Sequence, residues 1–122
     1  MKSVLIVEPD EALGALLEII LEEEGYATQI AHDLEEASSI LPHTHFDAII
    51  TEAFDQGRLF SFDPGFLARL RASAGHTPII LCSTDTYALG VHAGDFGLAE
   101  VICKPLDVDD LPKQVQRVTG QR

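Results

Sequence analysis

Five short apolar runs recur along this chain, each followed by a stretch with helical character, and that alternation constrains the fold more than any other feature. Strands separated by helices cannot close as tight hairpins. They cross over into a parallel sheet, which needs both faces covered. The runs are Ser3 to Val7, Tyr26 to Ala31, Phe46 to Thr51, Ile79 to Cys82 and Val101 to Cys103. Right-handed crossovers leave few topologies, and the natural order is 2-1-3-4-5. The expected fold is α/β: a three-layer αβα sandwich with a five-stranded parallel sheet and five flanking helices, as one domain over residues 1–122.

The punctuation between runs supports this division. Glu8-Pro9-Asp10 stops the first strand, because proline has no amide hydrogen for a sheet. Asp10 can cap a helix reaching about Glu24, with Leu13, Leu16, Leu17, Ile20 and Leu21 on its inward stripe and Gly25 as the stop. Asp33 opens a second helix that Pro42 ends. Asp55 to Ser61 is a loop. Asp63-Pro64 has a cap-then-proline start, and the helix it opens ends near Gly75, with Phe66, Leu67 and Leu70 inward and Arg69 and Arg71 outward. A fourth helix is expected from Thr86 to Ala93, with Gly90 inside it. Gly94 to Ala99 makes a turn. Asp107 caps a last helix with Leu111, Val115 and Val118 inward.

Charge narrows the function classes. Twenty Asp and Glu against eight Lys and Arg give a formal net charge of −12. Such a surface repels nucleic-acid phosphates and anionic lipid, so neither direct nucleic-acid binding nor membrane association is expected. No apolar stretch approaches the roughly 20 residues that span a bilayer. The opening residues are too short for a signal-peptide core. Cys82 and Cys103 each sit in an apolar run, as reduced buried thiols do. The expected location is cytoplasmic.

The C-terminal edge of an open parallel sheet is where ligands and chemistry collect. Strand ends would bring Glu8, Asp10, Glu52, Ser83, Thr84 and Lys104 there. Acids hold a hard cation through oxygen, and a hydroxyl and an ammonium bind phosphoryl oxygens. Asp10 has a second job available, as helix cap. Asp33, Asp47, Asp85 and Asp95 read as turn or cap residues. His43 and His45 have no cysteine or acid to complete a metal set and read as structural or solvent-facing residues. Gly94-Asp95-Phe96-Gly97 lacks the setting of a nucleotide loop, and the acidic edge argues against a flavin site.

Four motifs together carry a resemblance to the receiver domain of two-component response regulators, a flavodoxin-like fold. They are Val4-Leu5-Ile6-Val7-Glu8-Pro9-Asp10, Phe46-Asp47 through Glu52, Pro78-Ile79-Ile80-Leu81-Cys82-Ser83, and Lys104-Pro105. The resemblance implies that Glu52 occupies the phosphoacceptor position, where the family has aspartate. Glu8 and Asp10 become the acidic pocket, and Ser83 and Lys104 the phosphoryl contacts. Pro9 stands where the family has a main ligand of a divalent cation. Val101 stands where the family has a switch aromatic.

These departures set the functional expectation. A carboxylate displaced by one methylene spoils in-line attack, and a shift of about 1 Å can cost roughly a hundredfold in rate. A missing cation ligand weakens the charge neutralisation that phosphoryl transfer needs. The domain is therefore expected to be an atypical, non-enzymatic receiver that is not conventionally phosphorylated and acts by protein contact. No cofactor or metal is expected. Mg2+ would be held weakly at best, by Glu8, Asp10 and Glu52. The alternative is a working phosphoacceptor that uses a divalent cation with a compensating acid. Implied partners are a sensor kinase, an effector or another receiver. The docking or homodimer face would comprise Thr86 to Ala93, Val101 to Cys103 and Asp107 to Thr119.

Overall fold

The computed structural model describes residues 2–51, 64–83, 100–103 and 110–120. In chain order the elements are β1 (Ser3–Val7), α1 (Glu11–Glu23), β2 (Ala27–Ala31), α2 (Leu34–Ile40), β3 (Ala48–Thr51), α3 (Pro64–Ala74), β4 (Ile79–Ser83), β5 (Glu100–Cys103) and α4 (Asp110–Thr119). All strand pairs are parallel, and the five strands run in the order β2-β1-β3-β4-β5. Four helices fall among the described residues. The helix expected at 86–93, the turn at 94–99, the loop at 55–61 and the Asp107 cap lie outside them.

Alternation along the strands builds the two faces. Leu5, Val7, Ile49, Ile79 and Leu81 meet Ala37 of α2 and Leu70 of α3 in one buried cluster. Val4, Ile6, Ile50 and Ile80 meet Leu17, Ile20 and Leu21 of α1 and Leu111 and Val115 of α4 in the other. Successive strand side chains point to opposite faces, so a continuous apolar run such as Ala48-Ile49-Ile50 serves two cores at once.

Local chemistry sets the helix ends. The Asp10 carboxylate accepts hydrogen bonds from the Ala12 and Leu13 amides, at 2.9 and 3.1 Å, which caps α1. Asp33 caps α2 through the Glu36 amide at 2.8 Å. At the far end of α1, Gly25 takes φ +91°, its N–H donates to the Glu22 carbonyl, and the Tyr26 N–H donates to Leu21. This pair of bonds is a Schellman closure. It also explains why β2 starts at Ala27 and not at Tyr26: the Tyr26 amide is engaged by the helix, and its ring is buried against the α1 core.

Two inward or outward assignments are corrected. Leu16 was expected on the buried stripe of α1 but is 45% exposed. It lies about 100° round the helix from Leu17, and Gly14, Leu17, Ile20 and Leu21 already fill the face toward the sheet. Arg71 was expected to point outward. It is half-buried instead, and its guanidinium donates to the Thr77 carbonyl, tying the end of α3 to the segment that enters β4. Leu70 is buried and Arg69 exposed, as expected.

Asp47 was expected to be a turn or cap residue, and it has a longer-range role. Its Oδ2 accepts the Ser3 amide at 2.8 Å, and its own N–H donates to the Ser3 carbonyl at 2.8 Å. The start of β1 is thereby clamped to the start of β3. The Ser3 N–H is the main cause that holds the Asp47 carboxyl below the ordinary aspartate value of 3.8. Burial opposes the shift, and His45 and Lys2 assist it. A charge-assisted hydrogen bond of this kind contributes about 2 kcal/mol, so Asp47→Ala should destabilise by that order at neutral pH. Because the folded pKa is the lower one, the stabilisation is complete above 3.8 and is lost as pH falls through the lowered folded value. Urea unfolding of both proteins across that acidic range should show their stabilities converging.

Candidate functional site

Parallel pairing puts the C-terminal ends of all five strands on one edge. Val7 lies opposite Ala31 and Thr51, Thr51 opposite Leu81, and Ser83 opposite Cys103. Among the expected site residues, Glu8 and Asp10 are described with their side chains, and Ser83 and Val101 as positions in β4 and β5. Glu52 and Lys104 lie outside the described residues. They directly follow Thr51 and Cys103 in the chain.

Glu8 leaves β1 with its N–H donating to the Ala31 carbonyl at 2.9 Å. It is a buried carboxylate, 3% exposed, and its Oε2 accepts the Asp10 amide at 3.2 Å. The first turns of α1 roof it: a β-carbon at Gly14 would stand 3.9 Å from the Glu8 Cβ. Asp10 is exposed, and its Oδ1 is occupied by the α1 cap. Pro9, between them, is exposed and offers no side-chain oxygen.

Glu8 and Asp10 are the described acids that could serve a divalent cation at this edge. Mg2+ demands near-octahedral oxygen coordination. Of the two described carboxylates, one receives a backbone amide and the other caps a helix. Among the described residues, no group of three His, Cys, Asp or Glu side chains could hold a metal ion. Glu52, the third acid named for such a site, lies outside the described residues.

One polar group at this edge was not anticipated. The Thr51 side chain is buried, and its Oγ1 has no hydrogen-bond partner among the described residues. Threonine closing an apolar run reads as an ordinary β-former, so nothing in the sequence distinguishes a bonded hydroxyl from an orphaned one. An unsatisfied buried hydroxyl costs about 1–3 kcal/mol, and valine has nearly its shape. Thr51→Val should raise the denaturation midpoint, by an amount corresponding to about 1 kcal/mol.

The two histidines of the 43–45 segment lie at the opposite, N-terminal edge. They line a depression of about 380 Å3 with Leu41, Pro42, Thr44, Phe46, Ala74 and Thr77. His45 is solvent-facing and touches Asp47 at 3.4 Å, so this pair is far from the strand ends that carry the acids.

Comparison with known proteins agrees with this architecture. The family model described as the response regulator receiver domain matches residues 4–116. The uncharacterized transcriptional regulatory protein YkoG of Bacillus subtilis is 27% identical over 97% of this chain and 51% of its own length. The response regulator ArlR of Staphylococcus aureus is 26% identical over 97% of this chain and 52% of its own. The chain thus spans about half the length of these curated relatives. Among solved structures, the chemotaxis protein CheY4 of Vibrio cholerae superposes with a TM-score of 0.80 at 25% identity, covering 97% of this chain and 98% of that one. A sheet in the order 2-1-3-4-5 with Glu8 and Asp10 at its C-terminal edge, and a family match across nearly the whole length, place this chain in the response regulator receiver domain family.

Proposed function

We propose that this receiver domain works as a docking module held in one resting conformation, with conventional phosphorylation lost or very poor. Receiver domains are signalling modules that act with histidine kinases and effectors in two-component systems. What carries the atypical reading is Glu52 at the phosphoacceptor position. Its support from the neighbouring acids is thin: Pro9 has no ligand atom, and one oxygen of the Asp10 carboxylate, Oδ1, is engaged in the α1 cap. Val101, in register with Leu81, has no ring to swing between two positions, so the usual aromatic readout has no counterpart. Lys104 would pair with the longer Glu52 carboxylate as a standing ion pair, and Ser83 would be left without a phosphoryl group to bind. The expected partners are proteins, met through the face of residues 86–93, 101–103 and 107–119.

The alternative, a working phosphoacceptor with a compensating acid, is favoured by the buried Glu8 carboxylate kept at the end of β1. Incubation with acetyl phosphate and Mg2+ followed by intact-mass measurement separates the two. The docking reading expects an unchanged mass. A stoichiometric gain of one phosphoryl group on Glu52 would overturn it.

A further inference from the structure

β2 ends the sheet, with β1 as its neighbour in the order β2-β1-β3-β4-β5. The Ala27 N–H donates to the Lys2 carbonyl, and the Ala31 carbonyl accepts the Glu8 N–H, both at 2.9 Å. In a parallel ladder every second residue of a strand bonds to the same neighbour. Ala27, Gln29 and Ala31 therefore turn their backbone groups toward β1, and Thr28 and Ile30 direct theirs away from it. Among the described residues, no strand pairs with that outer side. Natural edge strands are blunted by lysine, proline, a bulge or a covering element. β2 reads Ala-Thr-Gln-Ile-Ala, with neither charge nor proline, and it pairs with β1 in unbroken register. Ala27 and Gln29 are exposed.

The surroundings of this edge are acidic on both faces of the sheet. On the α1 face, the Glu18 carboxylate accepts the Thr28 hydroxyl at 3.2 Å, which sets a negative charge beside the edge. Glu11 and Glu22 lie along the same side of α1 at helical spacing from Glu18. On the α2 face, the Glu36 carboxylate stands 3.4 Å from His32 Nδ1, directly after β2. No lysine or arginine occurs between Lys2 and Arg58, so the elements from β1 to β3 offer these acids neither.

We propose that the β2 edge takes an extended segment of a partner protein, added as a further strand and bearing lysine or arginine on alternate residues. Backbone pairing with Thr28 and Ile30 supplies the attachment, and the flanking carboxylates select the sequence. A second copy of this chain is a poor occupant. Pairing β2 with β2 would bring glutamates against glutamates, each on a chain of net charge −12. The site goes beyond the docking face proposed above. It lies at the opposite end of the sheet from β5, and it stands whether or not Glu52 accepts a phosphoryl group.

The test is an amide-resolved NMR titration of the whole domain with a synthetic peptide alternating lysine and valine. A peptide alternating glutamate and valine is the control. The lysine peptide should shift resonances of β2, more weakly as salt rises, and the glutamate peptide should shift none. At saturation the Thr28 and Ile30 amides should exchange with solvent deuterium about tenfold more slowly, because the added strand gives them acceptors. The Gln29 amide, which already faces β1, should change little. Glu18→Gln with Glu22→Gln keeps an acceptor for Thr28 but removes both charges, and should weaken the lysine peptide about threefold or more. Thr28→Pro removes an outward N–H from an edge strand, where proline is tolerated, and should abolish binding. Absence of shifts with the lysine peptide, shifts centred outside β2, equal binding of both peptides, binding that leaves Thr28 and Ile30 exchange unchanged, or self-association of the free chain that Thr28→Pro abolishes would each overturn the proposal.

Discussion

Replacing Glu52 and Pro9 together by aspartate (E52D with P9D) is expected to yield a domain that takes up a single phosphoryl group from acetyl phosphate, where the unaltered chain is expected to take up none. Each substitution repairs a different deficit. E52D withdraws the carboxylate by one methylene to the reach the family uses. Misplacement by about 1 Å costs roughly a hundredfold, so this change alone should recover part of the rate. P9D restores a cation ligand next to Glu8, and with it the neutralisation of developing phosphoryl charge. The backbone at position 9 tolerates the change: Pro9 is exposed, and the bonds on either side run from the Glu8 amide to Ala31 and from the Asp10 amide to Glu8. The double variant should therefore react faster than E52D alone, and only with Mg2+ present. Time courses of intact mass with and without the metal measure this. Equal rates for E52D and the double variant would show that Pro9 is not limiting. Uptake by the unaltered protein would show that Glu52 itself is competent.

The largest effect on stability is expected at Ile49. It is fully buried in β3, whose neighbours in the sheet are β1 and β4, and it packs in the cluster that Ala37 and Leu70 close. Ile49→Ala removes three carbons from a site held on both sides by strands, so little collapse can fill the space. A cost of about 3–4 kcal/mol follows. Against a total stability of about 5–15 kcal/mol, that is a large fraction. The urea midpoint should fall by roughly 2 M with an unchanged slope. Ile19→Ala, at an exposed position of α1, is the control and should shift stability by no more than about 0.5 kcal/mol. Similar losses at both positions would contradict the division between buried and outward faces.

Much of the architecture was legible because the signals are local. Ser3 to Val7 reads as a strand from its own β-branched run and the proline after it, and the structure returns the same boundaries. Asp10 and Asp33 read as caps because a short acid before a helical stripe satisfies the first free amides, and both carboxylates do so. Leu16 escaped because its spacings of three from Leu13 and four from Ile20 are helical ones, which a buried stripe would also show. Which side of α1 meets the sheet depends on the whole set of buried neighbours. Asp47 escaped for a related reason: its partner, Ser3, is 44 residues away, and no local pattern announces the bond.

By itself the sequence determined the alternation of strands and helices, the capping acids, the net acidity and the presence of Glu52, Pro9 and Val101 at their places in the motifs. These rest on backbone propensities and residue identities, which act over a few positions. Tertiary structure alone decided that Asp47 clamps β1 to β3, that the Thr51 hydroxyl is buried with no partner among the described residues, that Arg71 folds back on Thr77, and that Leu16 and Ile19 face water. Each of those outcomes depends on which surfaces meet across the sheet. That is settled by burying the most apolar area at once, a property of the whole packed chain and not of any one stretch of it.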